Sequence, residues 1–149
     1  MVTFIQRGLA VSFLCFTCLL GWVVSPAYAV ELSPAPASAE AYIISPANGD
    51  TVSSPLLVQF GLSGMGIAPA GIDRPNTGHH HLLVDVDELP SLTEPLQGSA
   101  QVLHYGAGQT ETELSLTAGD HTLQLVLGNY SHIPHDNPVI SEKITVTVE

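Results

Sequence analysis

Residues 41–149 are predicted to form an all-β domain, an immunoglobulin-like β-sandwich of about seven strands. Three observations predict it. Apolar runs are short and alternate with polar residues at a period of two. Gly, Pro and Asn punctuate the chain between them, and no segment sustains the 3.6-residue period of a helix.

Ala41–Ile44 is the first expected strand. It leads into Ser-Pro-Ala-Asn-Gly-Asp, where Asn48-Gly49 favours a tight turn. Leu56–Leu62 follows, with Leu56, Val58, Phe60 and Leu62 on one face. Residues 64–78 are rich in Gly and Pro and read as a long loop. His79–Val86 is the next strand. Its alternation sets His80, Leu82, Val84 and Val86 on one face and His79, His81, Leu83 and Asp85 on the other. After a polar, turn-rich stretch over 87–100 come a short segment at Gln101–Tyr105 and a strand at Thr110–Leu116, with Thr112, Leu114 and Leu116 inward. His121–Leu127 aligns His121 with Leu123, Leu125 and Leu127, and Ile144, Val146 and Val148 give the last strand its core face. In Leu116-Thr-Ala-Gly-Asp-His121 a leucine and a Gly-containing corner precede a polar ring. That is the pattern of a sandwich corner in which a tyrosine usually bonds back to the main chain.

The chain ahead of the domain reads as an address. Arg7 precedes an apolar run from Leu9 to Val24, and Ala27-Tyr28-Ala29 is a small-x-small cleavage pattern. Residues 1–29 are therefore expected to be a secretory signal peptide, cleaved after Ala29, which makes the protein periplasmic or secreted with no membrane insertion afterwards. Both cysteines, Cys15 and Cys18, lie within that segment, so the mature chain has no disulfide. Residues 30–40 form a Pro/Ala/Ser linker. From residue 30 onward two basic residues, Arg74 and Lys143, face fourteen carboxylates, a net charge of −12 with histidines neutral. Such a surface repels nucleic acid and anionic lipid and favours cations.

All seven histidines fall between His79 and His135. Side chains two apart on a strand point the same way, so His79 and His81 are placed to chelate one ion. His104, before a Gly-Ala-Gly turn, and His132 and His135, in the loop before the last strand, are further candidate ligands. Each also has a plain structural reading: polar residues at a strand mouth, a turn cap, or rings bonded to backbone. His121 joins the candidate set as well, but its corner position favours a hydrogen bond to the main chain over ligation. With no thiol in the mature chain and Met65 as its only thioether, imidazoles suit Cu(II), Zn(II) or Ni(II) better than Cu(I). The acidic run Asp85-Val-Asp-Glu88 lacks the twelve-residue calcium-loop pattern and reads as a solvated turn. There is no Gly-x-Ser-x-Gly elbow, HExxH motif, mature cysteine nucleophile or phosphate loop.

Four stretches carry a family resemblance: Pro75-Asn-Thr-Gly-His-His-His-Leu-Leu-Val-Asp85, His104-Tyr-Gly-Ala-Gly-Gln-Thr-Glu-Thr112, Gly119-Asp-His-Thr-Leu-Gln-Leu125, and His132-Ile-Pro-His-Asp-Asn-Pro-Val-Ile-Ser141. Together they resemble domain-of-unknown-function family 4399, a group of exported bacterial domains with no assigned activity. The resemblance implies the domain boundary and the histidine positions but no substrate. This chain departs from it at Ala118, where the family tends to have proline, and at Asn129, where it tends to have aspartate. Asn129 is accordingly left out of the candidate site. A weaker likeness to copper-zinc superoxide dismutase, another sandwich with an HxH strand pair, is one of architecture.

The expected function is an exported, non-enzymatic binding domain that holds a divalent transition metal, copper or zinc, through a histidine cluster. The alternatives are a structural or adhesive envelope module whose partner is another envelope protein, and a copper-dependent metalloenzyme.

Overall fold

The computed structural model describes residues 32–149, so the expected signal peptide lies outside the described residues. Nine strands run in order: β1 (Glu40–Ser45), β2 (Thr51–Val52), β3 (Leu56–Ser63), β4 (Gly66–Ile67), β5 (Thr77–Val84), β6 (Val102–His104), β7 (Glu111–Leu114), β8 (Gly119–Gly128) and β9 (Ile144–Val148). They form two sheets. One is three-stranded in the order β1-β3-β7; the other is β2-β9-β8-β5-β4, with β6 also paired to β5. Among the described residues there is no helix, and hence none able to cross a membrane. The fold is an all-β sandwich.

The alternating residues fill the space between the layers. Leu56, Val58 and Phe60 of β3 meet Leu82 and Val84 of β5, Leu123, Leu125 and Leu127 of β8, and Val146 of β9. Burying such side chains is the main favourable term in folding, worth about 1.5–3 kcal/mol each. The two strands beyond the seven expected, β2 and β4, are two residues each and pair in parallel with β9 and β5. Segments that short carry no alternation to read.

A second, smaller core lies on the outer face of the larger sheet, where Leu83 and Val126 are buried beneath Leu96. Leu96 belongs to the 87–100 segment, so that stretch folds back over the sheet. Val86 packs here rather than with Leu82 and Val84, which corrects the alternation. The cause is local: Asp85 has φ +54°, which breaks the extended backbone and ends β5 at Val84.

The Pro/Ala/Ser segment has no regular structure over 32–39 but is fastened to the body. Ala35 N–H donates to Asp136 Oδ1 (3.0 Å), Asp136 N–H to Ser33 O (3.0 Å), and Ala35 and Ala39 pack on the main core.

Candidate metal centre

Strand β5 is hydrogen-bonded along both edges, to β8 on one side and to β4 and β6 on the other. Its alternation divides three consecutive histidines between two environments. His80 points between the sheets, its ring 5.3 Å from that of Phe60. His79 and His81 point outward, and their rings lie 4.8 Å apart. The outward pair continues the row of Leu83, at the edge of the smaller core.

Register supplies the third ring. In the antiparallel β5–β6 pair His81 lies directly opposite His104, and directly opposed side chains share a face. The His104 ring stands 5.1 Å from His81 and 5.0 Å from His79. One ligand atom from each of these three residues lies within 4.8 Å of the others. A fourth ring arrives from the loop after β8: His132 is 4.7 Å from His104, 5.1 Å from His79 and 6.0 Å from His81.

That loop is held by Asn129. Its Oδ1 accepts from the N–H groups of Ser131 (2.8 Å) and Ile133 (3.1 Å), while its Nδ2 donates to Ser33 Oγ (2.9 Å). His132 itself has φ +68°, a conformation that costs a non-glycine residue roughly 1–2 kcal/mol. Its carbonyl accepts from Leu96 N–H at 3.0 Å, which ties the covering segment to the histidine loop. Sequence reasoning set Asn129 aside because it is no carboxylate. Its part is to position the loop, and its amide does this with an acceptor and a donor at once.

Two glycines make room for the rings. Gly106 sits where a β-carbon would overlap the His104 ring. Gly128, opposite His79 in the ladder, would place a β-carbon 2.7 Å from His81 Cε1 and 3.3 Å from the His132 carbonyl carbon. Gly128→Ala is therefore expected to displace the His81 ring and destabilise the protein by about 1–3 kcal/mol, measured by urea unfolding. A variant as stable as wild type, with unchanged metal affinity, would show that the ring is not confined there.

The electrostatics keep the cluster neutral. His79 and His81 are fully buried, and none of their four ring nitrogens has a hydrogen-bond partner. Burial is the main reason the His79 pKa falls to about 4, with repulsion from His104 and His132 next. Burial, then His79 and His104, take His81 to about 3. His104 is also lowered, by burial and then by His132. At neutral pH each of these three therefore presents an uncharged imidazole lone pair, the form that binds a metal. A buried polar atom without a partner normally costs about 1–3 kcal/mol, so four in one place demand an account.

The remaining histidines lie elsewhere. Both nitrogens of His121 face acceptors, Nδ1 donating to Asp85 Oδ2 (2.7 Å) and Nε2 to Thr117 O (2.9 Å). The Asp85 hydrogen bond is the largest cause of its raised pKa. That is the corner role, with no lone pair left for a metal. His135 is buried with its Nε2 near Thr77 O (3.3 Å), and it lines a separate pocket with Ser33, Asp73 and Tyr130. The structure thus brings together His79, His81, His104 and His132, and does not bring in His121 or His135.

The cluster borders a shallow pocket of about 230 Å³ lined by Pro95, Leu96, Gln97, Gly98, His104 and His132. At about 30 Å³ per water, that admits a hydrated ion. No curated protein and no solved structure shows a match to the chain. The family model of domain of unknown function 4399 matches residues 58–149, a span that contains every histidine, and the chain belongs to that family.

Proposed function

We propose that this protein is an exported binding domain that holds a divalent transition metal at His79, His81 and His104. One observation carries the reading: nitrogens from three imidazoles on two strands converge within 4.8 Å, and those of His79 and His81 are buried with nothing else to bind. In a purely structural module the buried rings would be bonded to backbone, as His121 is, or set among apolar side chains, as His80 is; His79 and His81 instead face a third imidazole, His104. Imidazole-only donors favour copper(II), zinc(II) or nickel(II) over hard cations. The acidic surface raises the local concentration of cations. Export follows from the apolar segment and the Ala27-Tyr28-Ala29 pattern; it predicts a mature N-terminus at Val30.

Calorimetric titration of the chelator-treated protein is expected to show one site tighter than about 10 µM, the range that adventitious imidazole pairs reach. His81→Ala is expected to weaken it at least about 100-fold, since a ligand is worth no less than the partners that orient it. Binding no tighter than 10 µM, or equal affinity in the variant, would remove the reading.

A further inference from the structure

We propose that His132 is the fourth ligand, closing a tetrahedral four-imidazole centre shaped for zinc rather than for square-planar copper(II) or nickel(II). This rests on the metal reading above and goes beyond it in coordination number, geometry and the identity of the ion.

The argument is metrical. Zinc–nitrogen bonds of about 2.0–2.1 Å put each imidazole centroid about 3.2 Å from the ion, so four tetrahedral ligands have centroids about 5.2 Å apart. A square-planar set would give neighbours at about 4.5 Å and two opposite pairs at about 6.4 Å. The six separations here are 4.7, 4.8, 5.0, 5.1, 5.1 and 6.0 Å. Five lie within half an ångström of the tetrahedral value. The one long distance joins His81 and His132; in a plane its complement, His79 to His104, would be long too, and it is 5.0 Å. Ring centroids so placed fit a tetrahedron better than a plane; the nitrogens already within 4.8 Å of one another are those of His79, His81 and His104, and His132 must reorient its ring to join them.

Three further features support His132 as a ligand. Its backbone holds a left-handed conformation, and strain of this kind is kept where the surroundings over-determine a functional position. Asn129 fixes its loop through two accepted hydrogen bonds, and Leu96 N–H holds its carbonyl. The torsion about its Cβ–Cγ bond is broad for histidine, so the ring can reorient as an ion binds. His79, His81 and His104 stand on strands, whereas His132 comes from a loop; His104, exposed, and His132 both border the open pocket. Of the four, His132 alone is not carried by a strand, so it is the last ligand to bind and the first to leave. With it bound the coordination is complete, as in structural zinc sites, and no position stays open for a substrate.

The test is the visible spectrum of the purified protein loaded with cobalt(II), a probe whose d–d bands are intense in a tetrahedral field and pale at five- or six-coordination. Intense bands are expected in the wild type; in His132→Gln, where water would take the fourth position, the bands should shift and metal affinity should fall about tenfold or more. X-ray absorption of the wild-type zinc form should count four imidazoles, a readout that does not depend on how any variant folds. Pale cobalt bands, or three imidazoles and an oxygen at zinc, would overturn the four-ligand centre and leave the three-histidine site standing. Failure of cobalt(II) and zinc(II) to bind the wild type at all would overturn both.

Discussion

Taking the metal-free protein from pH 7 to pH 5 is expected to cost about 6 kcal/mol of folding stability, enough to unfold a domain of ordinary stability. The sign follows from where the protons go. The pKa values of His79, His80 and His81 fall from 6.5 to about 4, 4 and 3 in the fold, by burial first in every case. Between those values and 6.5 the unfolded chain binds protons that the folded chain refuses. Stability is therefore present in full above pH 6.5 and lost as pH falls toward 4. Two pH units below neutrality each residue contributes a loss of about 2 kcal/mol. His121 opposes this: its raised pKa gives stability that is present below 6.5 and lost as pH rises past the folded value. It is one group against five, since burial also lowers His104 and His135. Urea unfolding at half-unit pH steps, with chelator present, measures the slope. A metal-saturated sample should hold its stability to lower pH, by about 4 kcal/mol at a thousand times Kd, until protons displace the ion. A flat profile for the metal-free protein would mean that these rings keep a route to solvent.

Much of the fold and half of the site were legible in the sequence. A period of two put His79 and His81 on one face and His80 on the other, because alternation on a strand is a property of the backbone itself. The Leu116–His121 corner likewise gave His121 its backbone partner in advance. Other features depend on long-range pairing that no local pattern encodes. His104 reaches His81 only through the β5–β6 register, set after an irregular connection from Asp85 to Gln101. The covering segment read as polar and turn-rich, yet one of its three leucines, Leu96, seals the smaller core and donates its N–H to the His132 carbonyl. Gly106 and Gly128 matter for the side chains they lack, and a glycine's neighbours cannot be named until the strands are assembled. His132 and His135, three residues apart in one loop, were equivalent in sequence. The left-handed turn at His132 sends the first to the cluster, while His135 goes to Thr77.

Replacing His80 with leucine is expected to stabilise the protein at pH 7 by about 2 kcal/mol and to leave metal affinity unchanged. His80 and its neighbours are consecutive residues on one strand, all buried and all with unpartnered nitrogens. What differs is company. His79 and His81 face other imidazoles, whereas His80 faces Phe60, itself packed at a tilt against Tyr105 with centroids 4.9 Å apart, within the main apolar core. There its two nitrogens give up water and gain nothing, while a leucine of similar volume would keep the packing. The same change should remove about 2 kcal/mol of the acid-induced loss, since one of the three burdened imidazoles is gone. Thermal and urea unfolding at pH 7 and pH 5, beside a zinc titration, separate the two faces of β5. A variant destabilised by more than 1 kcal/mol would show that the His80 ring has a polar partner inside the sandwich. If zinc affinity fell as well, the two faces of the strand would be acting as one site, and the division of labour set by its alternation would be wrong.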